Sequence, residues 1–467
     1  TGRGRLPALG SQNPDPAPEQ LGTLGEPAAR FGPLLARTAD PDLALTGLVR
    51  LVEAAADADR LLRHLEDDEG TAMRLLSVLG ASDALAGHLA RHPEHWHELA
   101  DPTLGSTRPP AFALRAHLLR AVGADPGQRS PVATMADAAA VDALRVEYRR
   151  LVLRLAARDL AHQVRVDDVA AELADLAAGT LEAALAVARQ RLGDQARLVR
   201  LAVVAMGKGG GRELNYVSDV DVIFVHEPAD AGDAGDPEEG VSESVAARVA
   251  GQLAGHLIRV CSDQTAEGTI WPVDAALRPE GKTGPLSRTL ASHRAYYERW
   301  ASTWEFQALL KARPVAGDLQ LGRDYAAMTQ PLVWRAAERE GFVQDTQAMR
   351  RRVLDHIPAK DAERQIKLGS GGLRDVEFAV QLLQLVHGRG DERIRPTGTL
   401  SALARLTEGG YVGREDGEAL HEAYAFLRTL EHRIQLFAMR RTHVVPAAEA
   451  SLRRLGRRLG FLQAPVA

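Results

Sequence analysis

The sequence predicts an α+β protein in which a small α/β unit lies between two helical regions. Three observations support this fold class. Apolar residues recur at helical spacing before about residue 192. Two short apolar runs, 201–206 and 221–225, then have the length and composition of buried strands. After about residue 318 the helical pattern returns, interrupted by a Gly-rich segment at 368–372.

The N-terminal part of the chain is predicted to be helical after a loose tail that is rich in Pro, Gly and Gln. Asp40 precedes Pro41, as expected where a helix begins. Residues 104–134 carry Pro and Gly, and we interpret them as a linker. We divide the chain into a loose tail at 1–30, a helical N-terminal region at 31–134, an α/β domain with leading helices at 135–325 and a helical bundle domain at 326–467.

The α/β domain is expected to begin with two long amphipathic helices near 136–163 and 166–192, which lead into the first strand. After the second strand, the acidic and Gly-rich segment at 227–240 predicts a surface loop. A helix near 242–262 and a third strand near 268–277 complete the unit.

The composition argues against several classes of function. The net charge of -5 and the sequence pI of about 6.3 disfavour a dedicated nucleic-acid-binding protein, which would need a basic face. No apolar run reaches the length of about 18 residues that a membrane span needs. The single cysteine, Cys261, excludes an internal disulfide and a Cys-based zinc site, and it suits a reducing cytosol. We therefore expect a cytoplasmic protein that binds neither nucleic acid nor membrane.

The first strand runs into a glycine-rich turn. Backbone amides at Gly207, Gly210 and Gly211 are expected to be free to approach a phosphate, helped by the start of a short helix. Glycines alone are weak evidence, because many strand–helix turns are Gly-rich. Lys208 lies in the same turn, and lysine is scarce in this sequence, occurring only at positions 208, 282, 311, 360 and 367.

Three aspartates are the sharper feature. Asp219 and Asp221 lie two residues apart at the start of the second strand, so their side chains share one face. Neighbouring carboxylates repel each other unless a cation lies between them, and oxygen-only ligands favour Mg²⁺ or Mn²⁺ over zinc. Asp274 completes a triad able to hold two metal ions for phosphoryl transfer if its strand pairs beside the other two. The alternative is that Asp219 and Asp221 only cap a turn.

This order of features resembles the nucleotidyltransferase superfamily of DNA polymerase β. The longer segment 207–224 is more specific and resembles the family of glutamine synthetase adenylyltransferases and adenylyl-removing enzymes. Further segments match in the same order, so the resemblance covers about residues 40–467; they lie at 274–286, 296–300, 304–313, 366–378 and 430–433. The sequence departs from the family at Gly209, where a larger apolar residue is usual, and at Phe306, where a basic residue is common.

The resemblance implies a reaction and a set of partners. Family members carry two such units in tandem. The first removes adenylyl groups from a tyrosine of glutamine synthetase by phosphorolysis and releases ADP, and the second adds them from ATP. Because segment 213–219 resembles the first unit, we expect a separated adenylyl-removing half whose partners include the C-terminal adenylylating half. The resemblance further implies phosphate and ADP or ATP as ligands, and the PII signal protein and glutamine as regulators.

Two alternatives stay open. The chain could add AMP from ATP, using the same triad in the opposite direction. It could also be an inactive regulatory module, although the intact set of three aspartates argues against that.

The resemblance also implies roles for single residues. Metal ions held by the triad would neutralise the transferred phosphoryl group, Lys208 and Arg278 would hold phosphate, and Ser218 would hydrogen-bond to it. Arg278 could equally form a surface ion pair. Possible accessory residues lie in the other matched segments: Glu305, Lys311, Arg374, Asp375 and Glu377. The last two, at a spacing of two, cannot share a helix face, so we expect only one of them in the cleft.

Overall fold

The computed structural model describes residues 28–105, 108–229, 240–338, 342, 344 and 359–461. Most of the predicted loose tail therefore lies outside the described residues, and so does the 230–239 part of the predicted acidic loop. Helices predominate, together with a small mixed sheet, which confirms the α+β class. None of the helices in the described part of the chain has the length and apolar character that crossing a membrane requires.

The helices before the sheet include the two long ones that are predicted near 136–163 and 166–192. Their bounds are α1 (Ala28–Ala36), α2 (Pro41–Ala54), α3 (Ala58–Asp67), α4 (Glu69–Ala81), α5 (Asp83–Arg91), α6 (Ala111–Ala121), α7 (Asp137–Leu160) and α8 (Val166–Leu192), with a 3-10 helix at Pro93–Ala100. Helix α2 begins as predicted, because the Asp40 carboxylate accepts the Leu43 amide at 3.1 Å and Pro41 occupies the first turn.

The sheet is mixed and, within the described residues, has the strand order β3–β2–β1–β5, with β4 paired to β2. The strands are β1 (Val199–Ala205), β2 (Val220–Pro228), β3 (Val273–Asp274), β4 (Ser287–Arg288) and β5 (Arg313–Gly317). Strand β1 is antiparallel to β2 and β5, whereas β2 is parallel to β3 and β4.

Both faces of the sheet are covered, which explains why β1 and β2 are continuous apolar runs. Val203 and Phe224 pack into the core formed with the N-terminal helices, whereas Val204 and Ile223 pack on the opposite face. The remaining helices are α9 (Gly207–Gly210), α10 (Glu243–Ser262), α11 (Leu290–Arg299), α12 (Thr303–Leu309), α13 (Leu319–Trp334), α14 (Leu373–His387), α15 (Thr399–Glu408), α16 (Arg414–Leu436) and α17 (Glu449–Arg458).

Some predicted elements are wrong. The predicted linker at 104–134 contains α6, which packs against α8 through buried leucines at 114, 118 and 119. Pro109 and Pro110 precede the helix and Pro126 and Pro131 follow it, so none of the four interrupts it. The third strand is much shorter than predicted, and β4 and β5 were not predicted. The proposed domain boundary at 325/326 falls inside α13, which packs on β1 and β5.

Candidate active site

Three carboxylates converge at the edge where β2 begins. Asp219 immediately precedes β2, and Asp221 is paired in register with Asp274 of the parallel strand β3. One oxygen from each of the three carboxylates lies within 4.8 Å of the others. Across the described residues, no other three His, Cys, Asp or Glu side chains converge in this way. The pairing of β2 with β3 is thus what assembles the triad.

The electrostatics of the triad fit a divalent cation. Burial, and then the negative charges of Asp219 and Asp274, raise the pKa of Asp221 to about 6. Part of the compensating charge comes from Arg441, whose guanidinium lies 2.8 Å from an Asp219 oxygen. Because the ligands are all oxygens and repel one another, a hard cation between them is favourable.

The glycine turn lies directly against the triad. A Cβ atom on Gly207 would come within 2.8 Å of an Asp221 oxygen, and its φ of +50° is left-handed. The amides of Gly210 and Gly211 donate to the carbonyls of Met206 and Gly207 at 2.9 and 3.0 Å. Because both amides are used inside the turn, the phosphate contacts predicted for Gly210 and Gly211 do not follow from this arrangement.

Gly210 has a packing role instead. A Cβ atom there would collide with the backbone carbonyl oxygen of Lys311, which lies just before β5. The close approach of the two backbones therefore requires glycine.

A cleft of about 300 Å³ opens beside the carboxylates, and several positively charged side chains line it. Its lining includes Asp219, Asp221, Lys208, Ser218, Lys311, Lys367, Arg374 and Glu377. Three of the five lysines in the sequence thus line a single cleft. Burial lowers the pKa of Lys208 to about 7 and also lowers the pKa of Lys367. Positive charge facing a carboxylate cluster is an arrangement suited to binding an anion beside a metal ion.

The ammonium group of Lys208 forms an ion pair with a residue of the helical bundle. It donates to the two carboxylate oxygens of Glu431 at 3.1 and 3.3 Å and lies 3.4 Å from the Asn215 side-chain oxygen. The Glu431 side chain is fully buried on α16 and is also 2.5 Å from Arg428 and 2.6 Å from His443.

Lys311 is likewise paired. Its ammonium lies 2.5 Å from a Glu213 oxygen and 3.2 Å from the Thr399 hydroxyl. Glu213 also accepts the backbone amide of Thr399 at the start of α15. The 213–215 segment therefore joins the α/β unit to the bundle, since Arg428 donates to the Glu213 carbonyl at 2.7 Å and to the side chain of Asn215.

The other predicted accessory residues separate into two groups. Glu305 accepts the Ser302 amide at 2.9 Å in a capping box at the start of α12. Asp375 accepts the Gly371 amide at 2.7 Å and so caps the turn before α14. By contrast, Arg374 and Glu377 line the cleft, and nearby lysines lower the pKa of Glu377 against the opposing effect of burial.

Arg278 and Ser218 were both predicted to contact phosphate. The Arg278 guanidinium donates to backbone carbonyls of the following loop, among them Ala275 at 2.7 Å and Gly284 at 3.1 Å. These contacts brace the loop after Asp274, and the phosphate contact of Arg278 stays a prediction. The Ser218 hydroxyl lies 3.5 Å from an Asp219 oxygen and lines the cleft.

Comparison with known proteins places the chain in a family. Residues 72–328 match the family described as glutamate-ammonia ligase adenylyltransferase. The chain belongs to this adenylyltransferase family, as the sequence predicts. Residues 346–466 additionally match a family described as GlnD PII-uridylyltransferase.

Several similar proteins carry the name bifunctional glutamine synthetase adenylyltransferase/adenylyl-removing enzyme. The one from Streptomyces avermitilis is 57% identical over 435 residues, which are 92% of this chain and 41% of that protein. The one from Streptomyces coelicolor is 55% identical over 469 residues, covering 99% of this chain and 45% of that protein. The one from Mycobacterium tuberculosis is 47% identical over 464 residues, covering 96% of this chain and 43% of that protein. The chain thus spans less than half the length of these relatives.

Sequence reasoning missed several residues of the helical bundle that reach the site. Lys367, Glu431 and Arg441 had no predicted role, yet they contact or line the cleft or its residues. The scarcity of lysine pointed toward Lys367 and the match to the family at 430–433 toward Glu431, whereas no signal pointed toward Arg441. Neither signal indicates which side chains meet across two distant segments.

Proposed function

We propose that this chain removes AMP from an adenylylated tyrosine of glutamine synthetase by metal-dependent phosphorolysis and releases ADP. The observation that carries the proposal is that two members of the three-carboxylate cluster, Asp219 and Asp221, line one cleft together with Lys208, Lys367 and Arg374. The names of the relatives include both adenylyl transfer and adenylyl removal.

In this proposal Asp219, Asp221 and Asp274 hold Mg²⁺ or Mn²⁺. Bound there, the metal would supply Lewis-acid stabilisation of the phosphoryl oxygens and of the attacking and leaving oxygens. The all-oxygen donor set and the raised pKa of Asp221 support this assignment. A polymerase-β-like nucleotidyltransferase fold for the α/β unit belongs to the same proposal.

The residues of the chain have distinct tasks in the reaction. An oxygen of hydrogen phosphate attacks the α-phosphorus, and the bond between that phosphorus and the tyrosine oxygen breaks. The proton carried by the phosphate ends on the tyrosine oxygen, so ADP and free tyrosine are formed. Lys208, Lys367 and Arg374 would hold the incoming phosphate, and Ser218 would donate a hydrogen bond to a phosphoryl oxygen.

The direction of transfer is argued from the size of the anion site. Phosphorolysis needs a compact site for one phosphate beside the α-phosphate, whereas adenylylation from ATP needs room for two further phosphates. Lys208 of the glycine turn and Arg374 at the start of α14 line the same cleft as Asp219 and Asp221, and we take this grouping to favour the smaller anion. Adenylylation from ATP is the alternative function.

The remaining partners are proposals from the same resemblance. They are the PII signal protein and glutamine as regulators, and the adenylylating half of a longer polypeptide in the cytoplasm. The match of residues 346–466 to a PII-uridylyltransferase family is compatible with a shared bundle.

One incubation tests the proposed function. Adenylylated glutamine synthetase, this chain, Mg²⁺ and phosphate should yield ADP, and omission of phosphate should abolish its release. AMP release without phosphate would indicate hydrolysis. Labelling of unmodified glutamine synthetase from ATP, with no removal under any condition, would establish the alternative.

A further inference from the structure

We infer that Glu431, on helix α16 of the bundle, is a positioning residue that favours the charged form of the Lys208 ammonium group and holds that group beside the cleft. The inference rests on the proposed function, in which Lys208 holds the incoming phosphate. It assigns to the bundle a part of the anion site that the α/β unit cannot supply.

The geometry of the pair supports this role. The Lys208 ammonium contacts both oxygens of Glu431, at 3.1 and 3.3 Å, and its side chain is only 12% exposed. Lys208 lines the cleft, whereas Glu431 is absent from the lining and is fully buried. Glu431 is therefore set back from the cleft, and it holds the ammonium group of a lysine that lines the cleft.

The charges around Lys208 explain why the carboxylate is needed. Burial opposes the charged ammonium, and the positive charges of Arg428 on α16 and of Lys367, which precedes α14, add to that effect. Glu431 is the principal group that favours the charged form, and Glu377 on α14 contributes less. Removing the charge of Glu431 would leave a buried ammonium between two cations, which favours its neutral form.

The contacts of Glu431 also define the competing explanation. Its carboxylate pairs with Arg428 and His443, so it could serve only to join α16 to the residues packed around it. A purely structural residue would change stability and the active fraction, but not the charge of Lys208 or the affinity for phosphate. The two explanations therefore differ in what they predict for a folded variant.

The kinetic test uses Glu431→Gln, which keeps the shape and removes the charge. We expect the KM for phosphate to rise about tenfold or more at pH near 8, because phosphate binds the charged ammonium, whose fraction is already low above the Lys208 pKa of about 7 and falls further without Glu431. The KM for adenylylated glutamine synthetase should stay near that of the unaltered chain. The matched control is Glu172→Gln, which breaks a buried pair with Arg158 outside the cleft lining and should leave the phosphate KM unchanged.

The second measurement needs no turnover. With only five lysines in the chain, ¹³C-lysine NMR can follow the titration of Lys208, assigned by its loss in Lys208→Met. We expect Glu431→Gln to move the Lys208 midpoint to lower pH. An unmoved midpoint, or an unchanged phosphate KM in a folded variant, would overturn the inference. If Glu431→Gln does not fold, Glu431→Asp should give a smaller shift in the same direction, and no shift would overturn it.

Different measurements would contradict the proposed function and the role of Glu431. A chain that releases no ADP from adenylylated glutamine synthetase under any condition contradicts the proposed function. The NMR titration still decides whether Glu431 sets the charge of Lys208.

Discussion

Asp221 and Asp274 are register partners on the parallel strands β2 and β3, and this single pairing brings the third carboxylate to the other two. Strand β3 is only two residues long, Val273–Asp274. The pairing is supported by a hydrogen bond of 3.0 Å from the Val220 amide to the Pro272 carbonyl. A minimal strand therefore suffices to position a metal ligand, because the neighbouring strand fixes its register.

The first prediction concerns the triad. Asp219→Asn and Asp221→Asn should each reduce ADP release by roughly a thousandfold or more, because several kcal/mol of charge stabilisation are lost. The fold should persist, since replacing one carboxylate also relieves repulsion. Circular dichroism and turnover would be measured together. The fully exposed Asp194 provides the control, because Asp194→Asn should have no effect on either. Normal turnover in a triad variant would remove that residue from the mechanism.

The second prediction concerns pH. In the metal-free protein the pKa of Asp221 is raised from 3.8 to about 6, so the native state binds more protons than the unfolded state between these values. The contribution of Asp221 to stability is therefore present below its unfolded pKa and is lost as the pH rises toward 6.

Mg²⁺ should reverse that loss by binding the ionised carboxylate. We expect the increase in Tm caused by Mg²⁺ to be larger at about pH 7.5 than at about pH 5, because protons compete with the metal at low pH. Calorimetry with and without Mg²⁺ measures this difference. Asp221→Asn should abolish most of the pH dependence of the increase in Tm that Mg²⁺ causes. An increase that does not vary with pH in the unaltered chain would contradict the assignment.

The third prediction concerns phosphate. Lys208→Met should raise the KM for phosphate about tenfold or more while changing the KM for adenylylated glutamine synthetase far less. The control is Lys282→Met, since Lys282 lies in the loop that Arg278 braces and outside the cleft lining. Equal changes in both KM values for Lys208→Met would indicate a general loss of active protein.

The sequence predicts local features of this molecule well and contacts between distant segments poorly. The strands β1 and β2, the helices near α7, α8 and α10, and the start of α2 follow from periodicity and capping, which are local signals. Strand β5 escapes prediction because it is short and contains Pro314 and a terminal glycine. Its place beside β1 depends on tertiary pairing.

The candidate site shows the same limit. The spacing of Asp219 and Asp221 is visible in the sequence, but the partner of Lys208 is not, because Glu431 lies more than two hundred residues away. Glu305 and Asp375 illustrate the converse. Both lie in segments that match the family, yet their carboxylates cap helices or turns. A matched segment does not by itself identify the chemistry of each residue.

The fourth prediction separates packing from phosphate binding in the glycine turn. Gly210→Ala should strongly destabilise the fold or prevent it, because its Cβ would collide with the carbonyl oxygen of Lys311. Gly251→Ala is the matched control, since it lies inside α10 with nothing within 4 Å of the added Cβ. It should stabilise the protein by about 0.5–1 kcal/mol. The free energies of unfolding of the two variants, measured in urea, distinguish these outcomes. A Gly210→Ala variant with native-like stability would contradict the close approach of the two backbones.

The last prediction concerns Arg278, for which the sequence suggests phosphate binding and the contacts favour bracing of the loop. The guanidinium donates to the Ala275 carbonyl at 2.7 Å and to the Gly284 carbonyl at 3.1 Å. Lysine keeps the positive charge but cannot reproduce this fork of donors. Arg278→Lys and Arg278→Met should therefore be alike: each should lose about 1–3 kcal/mol of stability and bind Mg²⁺ more weakly, because the loop following Asp274 loosens.

At saturating Mg²⁺, neither Arg278 variant should change the KM for phosphate by more than about twofold if the role is bracing, because no phosphate contact is lost. A phosphate ligand would behave differently. Arg278→Lys would then retain much of the phosphate affinity through its charge, whereas Arg278→Met would lose it. Measuring the phosphate KM of both variants beside their urea midpoints thus decides between the two roles, and a selective defect of Arg278→Met would restore Arg278 to the anion site.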